Sequence, residues 1–72
     1  MKVYIAIYVD WDATQIKAVF ENEKDAWNWC KIESEKEAKD QPKLIENLPQ
    51  GYKVRDVCFV FETFETTSQI TP

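Results

Sequence analysis

The stretch Phe20-Glu21-Asn22-Glu23-Lys24-Asp25-Ala26-Trp27-Asn28-Trp29-Cys30-Lys31-Ile32-Glu33-Ser34-Glu35-Lys36-Glu37-Ala38-Lys39-Asp40 is the only long segment whose pattern requires a helix. Asn22 is a good N-cap, and Asp25, three residues on, can reach back toward its backbone N–H. Glu23 and Asp25 suit the positive end of the helix dipole, as Lys36 and Lys39 suit the negative end. Ala26, Trp29, Cys30 and Glu33 recur at helical spacing, so the apolar stripe is expected to last barely two turns. Beyond Ile32 the pattern is polar and reads as a solvated extension, supported by pairs such as Glu35 with Lys39. Trp27 lies about 100° around the helix from Ala26, so the two tryptophans of this segment cannot both point at one sheet.

Everything before and after this helix reads as strand or turn. Val3-Tyr4-Ile5-Ala6-Ile7-Tyr8-Val9 is rich in β-branched and aromatic residues. Its odd positions are aliphatic and form the natural core face; the even positions Tyr4, Ala6 and Tyr8 are apolar too, but the two tyrosines bring hydroxyls that want water or a partner. Asp10-Trp11-Asp12-Ala13-Thr14 is a turn. Trp11 at its tip either folds over the sheet edge or stands out as a contact residue. Gln15 to Phe20 returns as an edge strand, with Lys17 discouraging edge-to-edge pairing.

After the helix, Gln41 to Leu48 reads as a short helical turn opened by Pro42, with Leu44, Ile45 and Leu48 on one side. Pro49-Gln50-Gly51 ends it, and the single glycine is expected at positive φ. Tyr52 to Phe64 reads as one last strand, and a bulge near Arg55-Asp56 would bring Tyr52, Val54, Val57, Phe59 and Phe61 to the helix side.

The expected architecture is therefore α+β: a small three-stranded sheet, ββαβ in strand order 2-1-3, one long helix on one face, and a short helical turn before the last strand. A right-handed crossover joins the second strand to the third. Residues 1–65 form a single domain and 66–72 a disordered tail. One helix covers one face, which leaves Tyr4, Ala6, Tyr8, Cys58 and Val60 bare on the other; an apolar face of this kind points to association.

Composition narrows the function. With 72 residues the core supplies roughly 3–5 kcal/mol of net stability, and self-association is a common support for such chains. Three tryptophans, three tyrosines and four phenylalanines are more than one helix and a few strands readily bury. There is no histidine and there are two cysteines, Cys30 and Cys58, which read as reduced thiols. No metal or other cofactor is expected: Asp10-x-Asp12 lacks the further oxygens and the glycine of a calcium loop. A net charge of −4 argues against direct binding to a nucleic-acid backbone. No run reaches the ~20 apolar residues of a membrane span, and none before Asp10 has the length of a signal sequence's apolar region. A cytoplasmic location is expected, the host's cytoplasm if the chain is phage-encoded.

The run Val3-Tyr4-Ile5, the junction Ile16-Lys17-Ala18-Val19-Phe20-Glu21-Asn22-Glu23-Lys24-Asp25-Ala26-Trp27 and the late Tyr52-Lys53-Val54 carry a resemblance. They resemble a group of very small phage and bacterial proteins of unknown function. Those have a "VYVV" first strand, an "I-x-G-V-F-S-T-x-E-x-A" hairpin-to-helix junction and a "Y-x-I-E" late strand. Here Ala18 replaces the usual glycine, and the segment from Pro42 to Pro49 is longer. The resemblance implies the fold and a phage-like origin, and hands over no site residues.

Without histidine, the usual nucleophile–base pairs are impossible, and one glycine cannot build a phosphate loop. The chain is expected to be no enzyme. It reads instead as a small acidic protein-binding factor of phage type, acting on a host protein as an anti-defence or host-takeover inhibitor. Trp11, Trp27, Glu33 and Glu37 are candidate partner contacts. Glu35, Asp40, Glu62 and Glu65 add to an acidic surface able to mimic nucleic acid toward a basic site. Two alternatives stand beside it: a homo-oligomeric ligand-binding or sensor module lined by Tyr4 and Tyr8, and a structural homodimer with no separate ligand.

Overall fold

A computed structural model of the chain describes residues 1–65; the tail expected at 66–72 lies outside the described residues. The elements are β1 (Lys2–Val9), β2 (Thr14–Phe20), α1 (Glu23–Ala38), a single 3-10 turn at Pro42–Leu44, β3 (Ile45–Leu48), β4 (Gly51–Val54) and β5 (Val57–Glu65). The helix begins as its sequence requires. Asn22 is extended, and its side-chain oxygen accepts the N–H of Lys24 at 2.8 Å. At the other end Lys39 turns left-handed, with φ of 49°, and its N–H reaches Glu35 O at 3.2 Å. In place of the expected Glu35–Lys39 pair, Lys36 Nζ meets Glu33 Oε2 at 3.3 Å on the helix surface.

The expected three-stranded ββαβ sheet is corrected to five antiparallel strands in the order β2-β1-β5-β4-β3. The class remains α+β. Two local readings produce the difference. Gln41 to Leu48 is helical only through Leu44, whose N–H bonds to Gln41 O; Ile45–Leu48 is then a strand paired with β4. Four residues hold too few repeats for periodicity to separate helix from strand. Tyr52 to Phe64 is two strands rather than one bulged strand, because Arg55-Asp56 is a tight turn that pairs Val54 with Val57. Arg55 takes φ of 57°, a conformation that usually calls for glycine or asparagine, so nothing in the residue type announced it. The helix consequently carries the chain from one edge strand, β2, to the other, β3. Strands β4 and β5 walk back until β5 lies antiparallel to β1.

The faces also differ from expectation. Residues directly opposite in a ladder share a face, and Tyr8 pairs with Phe59, Ala6 with Phe61. Phe59 and Phe61 form the core with Ala26 and Cys30 of α1. Tyr4, Ala6 and Tyr8 therefore lie on the helix side, and the aliphatic set Val3, Ile5, Ile7 and Val9 lies on the far side. Aromatic surface decided this. The tyrosine rings pack edge-on against Phe61 and tilted against Phe59, with centroids 6.0 and 5.4 Å apart, and both side chains remain half-buried.

The helix is seated along its whole length, not over two turns. Ala26, Cys30, Ser34 and Ala38 recur every four residues and are all buried. Ser34 satisfies its hydroxyl by donating to Lys31 O at 2.9 Å. These small side chains let the helix lie close on the sheet, and the two tryptophans straddle them. Trp27 stands edge-on to Phe61 and Tyr52, Trp29 edge-on to Phe59.

Candidate functional site

No described element covers the face of the sheet opposite α1. Ladder pairing places four rows on it. The central row crosses all five strands: Ile16, Ile7, Val60, Gly51 and Leu48. One row toward the hairpin turns lie Thr14, Val9, Cys58, Lys53 and Glu46; one row the other way lie Val19, Ile5 and Glu62, and beyond them Val3 and Phe64. Ile16 is 68% exposed, Val19 59% and Phe64 46%. Ile7, at the centre, is buried by its own neighbours on this face.

A bulge in β2 makes the face this apolar. Ala18 opposes Ala6 and Ile16 opposes Ile7, which leaves Lys17 as an extra residue. Regular alternation from Ala18 would have put Ile16 on the helix side and Lys17 on the bare face. The extra residue reverses both. Ile16 joins the bare face, and the Lys17 ammonium sits 5.9 Å from the Tyr8 ring centroid on the other. Gly51 keeps the central row low: a Cβ there would collide with the Phe59 carbonyl oxygen and come within 2.6 Å of Val60 Cα.

The five residues expected on the bare face are thus divided. Cys58 and Val60 lie there; Tyr4, Ala6 and Tyr8 do not, and Ala6 is wholly buried beneath the helix. Ile16, Val19, Ile5 and Phe64 were missed. The signal for them is the aliphatic parity of β1, which reads as a core face because it needs no hydrogen-bond partners yet lies on the bare side. Of the candidate partner contacts, Trp11 is 84% exposed at the β1–β2 tip, whereas Trp27 is packed between Phe61 and Tyr52. Glu33 pairs with Lys36, and Glu37 lines a cleft with it.

That cleft, about 560 Å³, lies on the helix side, floored by Tyr8, Trp29 and Phe59 and rimmed by charged groups of α1 and β2. Desolvation, together with the nearby Asp10, Glu37 and Asp12 carboxylates, raises the Tyr8 hydroxyl above its ordinary pKa. Asp10 is held below its ordinary value, chiefly by the backbone N–H of Asp12, which donates to Asp10 Oδ1 at 3.0 Å. The Asp10-x-Asp12 turn is therefore an Asx-turn that closes the hairpin, its first carboxylate already engaged by the backbone. Among the described residues no cluster of three metal-ligating side chains occurs.

The two thiols lie on opposite faces of the sheet, Cys30 buried under α1 and Cys58 half-buried on the bare side, and both are free. Burial pushes the Cys30 thiol up to about 12, so it is a protonated core residue and no nucleophile at neutral pH. No described helix is long and apolar enough to cross a membrane. Compared with known proteins, the chain matches no family model, no curated protein and no solved structure.

Proposed function

We propose that the chain is a non-enzymatic protein-binding module that works by contact, through the sheet face opposite α1. The observation that supports this is one surface: a central row of Ile16, Ile7, Val60, Gly51 and Leu48 with no charge in it, flanked by exposed Val19 and Phe64. Exposed apolar surface that is contiguous, rather than scattered, is costly in water and marks sites of association. The bulge that turns Ile16 outward argues in the same direction, since it gives up burial of an isoleucine that a regular strand would have retained. The net charge of −4 favours basic protein partners. The phage-type, host-directed setting rests on the resemblance of the hairpin-to-helix junction.

The test is capture by the immobilised chain, wild type beside Val19→Lys and Ile16→Lys. Saturable binding of a protein at micromolar concentration, lost in both variants while far-UV circular dichroism is retained, is the expected result. Wild-type chain that contacts no protein, itself included, at high micromolar concentration overturns the proposal.

A second reading, a small-ligand module, is favoured by the cleft at Tyr8, Trp29 and Phe59. It differs from the sequence expectation in placing Tyr8 beneath the helix and not between paired sheets. Fluorescence titration following Trp29, with Trp29→Phe as the blank, tests it against a panel of metabolites; a flat response throughout overturns it.

A further inference from the structure

The bare face carries three charges within its strands, and their placement is self-complementary. Lys53 stands opposite Glu46 in β3 and Cys58 in β5, one row to one side of the central row. Glu62 stands opposite Ile5, one row to the other side, where β4 has already ended. Neither Lys53 nor Glu62 makes an ion pair among the described residues. A two-fold axis laid along the central row exchanges the two flanking rows. It sets Thr14 over Val19 of a second copy, Val9 over Ile5, and Lys53 within one strand spacing, about 4.8 Å sideways, of Glu62. Sheets pack about 10 Å apart, a gap that a lysine and a glutamate span together.

Resting on the reading that this face docks a protein chain, we propose that the chain it docks is a second copy, packed sheet to sheet about a two-fold axis. The axis crosses the strands along Ile16, Ile7, Val60, Gly51 and Leu48. Each of these residues then meets its own counterpart, and Gly51, lacking a side chain, allows the sheets to approach at that point. Two Lys53–Glu62 pairs, one at each side of the axis, set the register and orientation, while the aliphatic rows supply the contact. Glu46 falls beyond the end of the opposing β3, past its Leu48.

The dimensions suit this occupant. Strands of eight, seven and nine residues, with the two short strands beside them, span on the order of 500 Å² of projected area at ordinary strand spacing. Side-chain relief adds to that, which brings the face toward the roughly 800 Å² per partner of a stable interface, at the small end of the range. In the dimer both helices face outward, and so do both tips carrying Trp11.

Charge reversal tests the pairing. Sedimentation equilibrium of the wild type from low to high micromolar concentration is expected to show monomer and dimer. Lys53→Glu and Glu62→Lys should each raise the dissociation constant by at least about tenfold, the loss of two complementary contacts and gain of two repulsive ones. An equimolar mixture of the two single variants should restore association as a mixed dimer in native mass spectrometry, because each reversed charge then faces its opposite on the other copy. Lys53→Glu also confronts Glu46 within its own sheet; if that variant fails to fold, Glu62→Lys and the double variant Glu46→Lys/Lys53→Glu, which keeps opposite charges facing each other within the sheet, carry the same test. A wild-type dimer indifferent to both reversals overturns the proposal, as does a wild-type monomer at high micromolar concentration. A monomer that still captures another protein through Ile16 and Val19 overturns the second-copy proposal alone; one that captures nothing overturns the docking reading with it.

Discussion

Ile16 lies directly opposite Ile7 across the β1–β2 ladder, one residue out of step with Ala18 and Ala6. This single offset assigns opposite roles to neighbouring residues: Ile16 faces outward, Lys17 lies over Tyr8 on the helix side, and Gln15 opposes Tyr8. Deleting Lys17 should leave Ile16 opposite Ile7, because removal of the extra residue regularises the ladder without changing either flank. The expected change in stability is within about 1 kcal/mol, the bulge's lost pairing set against one exposed cation–π contact. Thermal denaturation with amide exchange checks it; loss of the β2 ladder protection would show that the bulge is required for pairing.

The second half of α1 makes a sharper case. Ala38 is 1% exposed, although its neighbours Glu35, Lys36 and Lys39 are all on the surface. Ala38→Leu should force the helix off the sheet and cost about 1–3 kcal/mol, as overpacking does. For a domain of this size each kcal/mol lowers the melting temperature by about 4–8 °C. An unchanged melting temperature would return this helix end to solvent.

Ser34 and Ala38 also show why part of this fold was legible in sequence and part was not. The helix span, its Asn22 cap, the β1–β2 hairpin and the docking of the last strand on the first follow from residue types with strong local preferences. The seat of the helix rests on small residues, which hydropathy barely registers. Strands β3 and β4, four residues each, are too short to declare a period. The turn between β4 and β5 is imposed by pairing on a residue, Arg55, that does not favour it. For the candidate site, one helix does leave one apolar face of the sheet bare, with Cys58 and Val60 on it as expected, but the two faces of β1 are the reverse of the expectation. Tyr4 and Tyr8 bury ring surface against Phe61 and Phe59, so their polarity is a misleading guide to the faces of β1.

Arg55 itself yields a stabilising substitution. With φ of 57° it occupies a left-handed position that glycine adopts without cost from Cβ. Arg55→Gly should raise stability by about 0.5 kcal/mol after the greater entropy of the unfolded glycine chain is counted. Urea denaturation at fixed protein concentration is the check; a lower midpoint would mean that the arginine side chain stabilises the turn by some other contact.

Gly51 runs the opposite way. Any side chain there meets the Phe59 carbonyl oxygen and the Val60 backbone, neither of which can rotate aside. Gly51→Ala should destabilise the fold by about 3 kcal/mol, the upper part of the overpacking range. A circular dichroism melt that matches the wild type would show that the β4–β5 pairing is looser than this geometry.

The thiols give a pH prediction with a definite sign. Burial raises Cys30 from an ordinary 9.0 to about 12. The unfolded chain therefore ionises this thiol before the folded chain does. Stability from Cys30 is complete below pH about 9 and is lost as pH rises from there through about 12. Cys30→Ala should flatten that part of the stability curve relative to the wild type, which urea titration between pH 8 and about 10.5 resolves. Reagent labelling at low concentration, where the chain is monomeric, separates the two cysteines at neutral pH: Cys58, half-buried on the bare face, should react in the native chain, while Cys30 should react only after unfolding. Equal rates at both positions would place Cys30 within reach of solvent and remove the physical basis of its raised pKa.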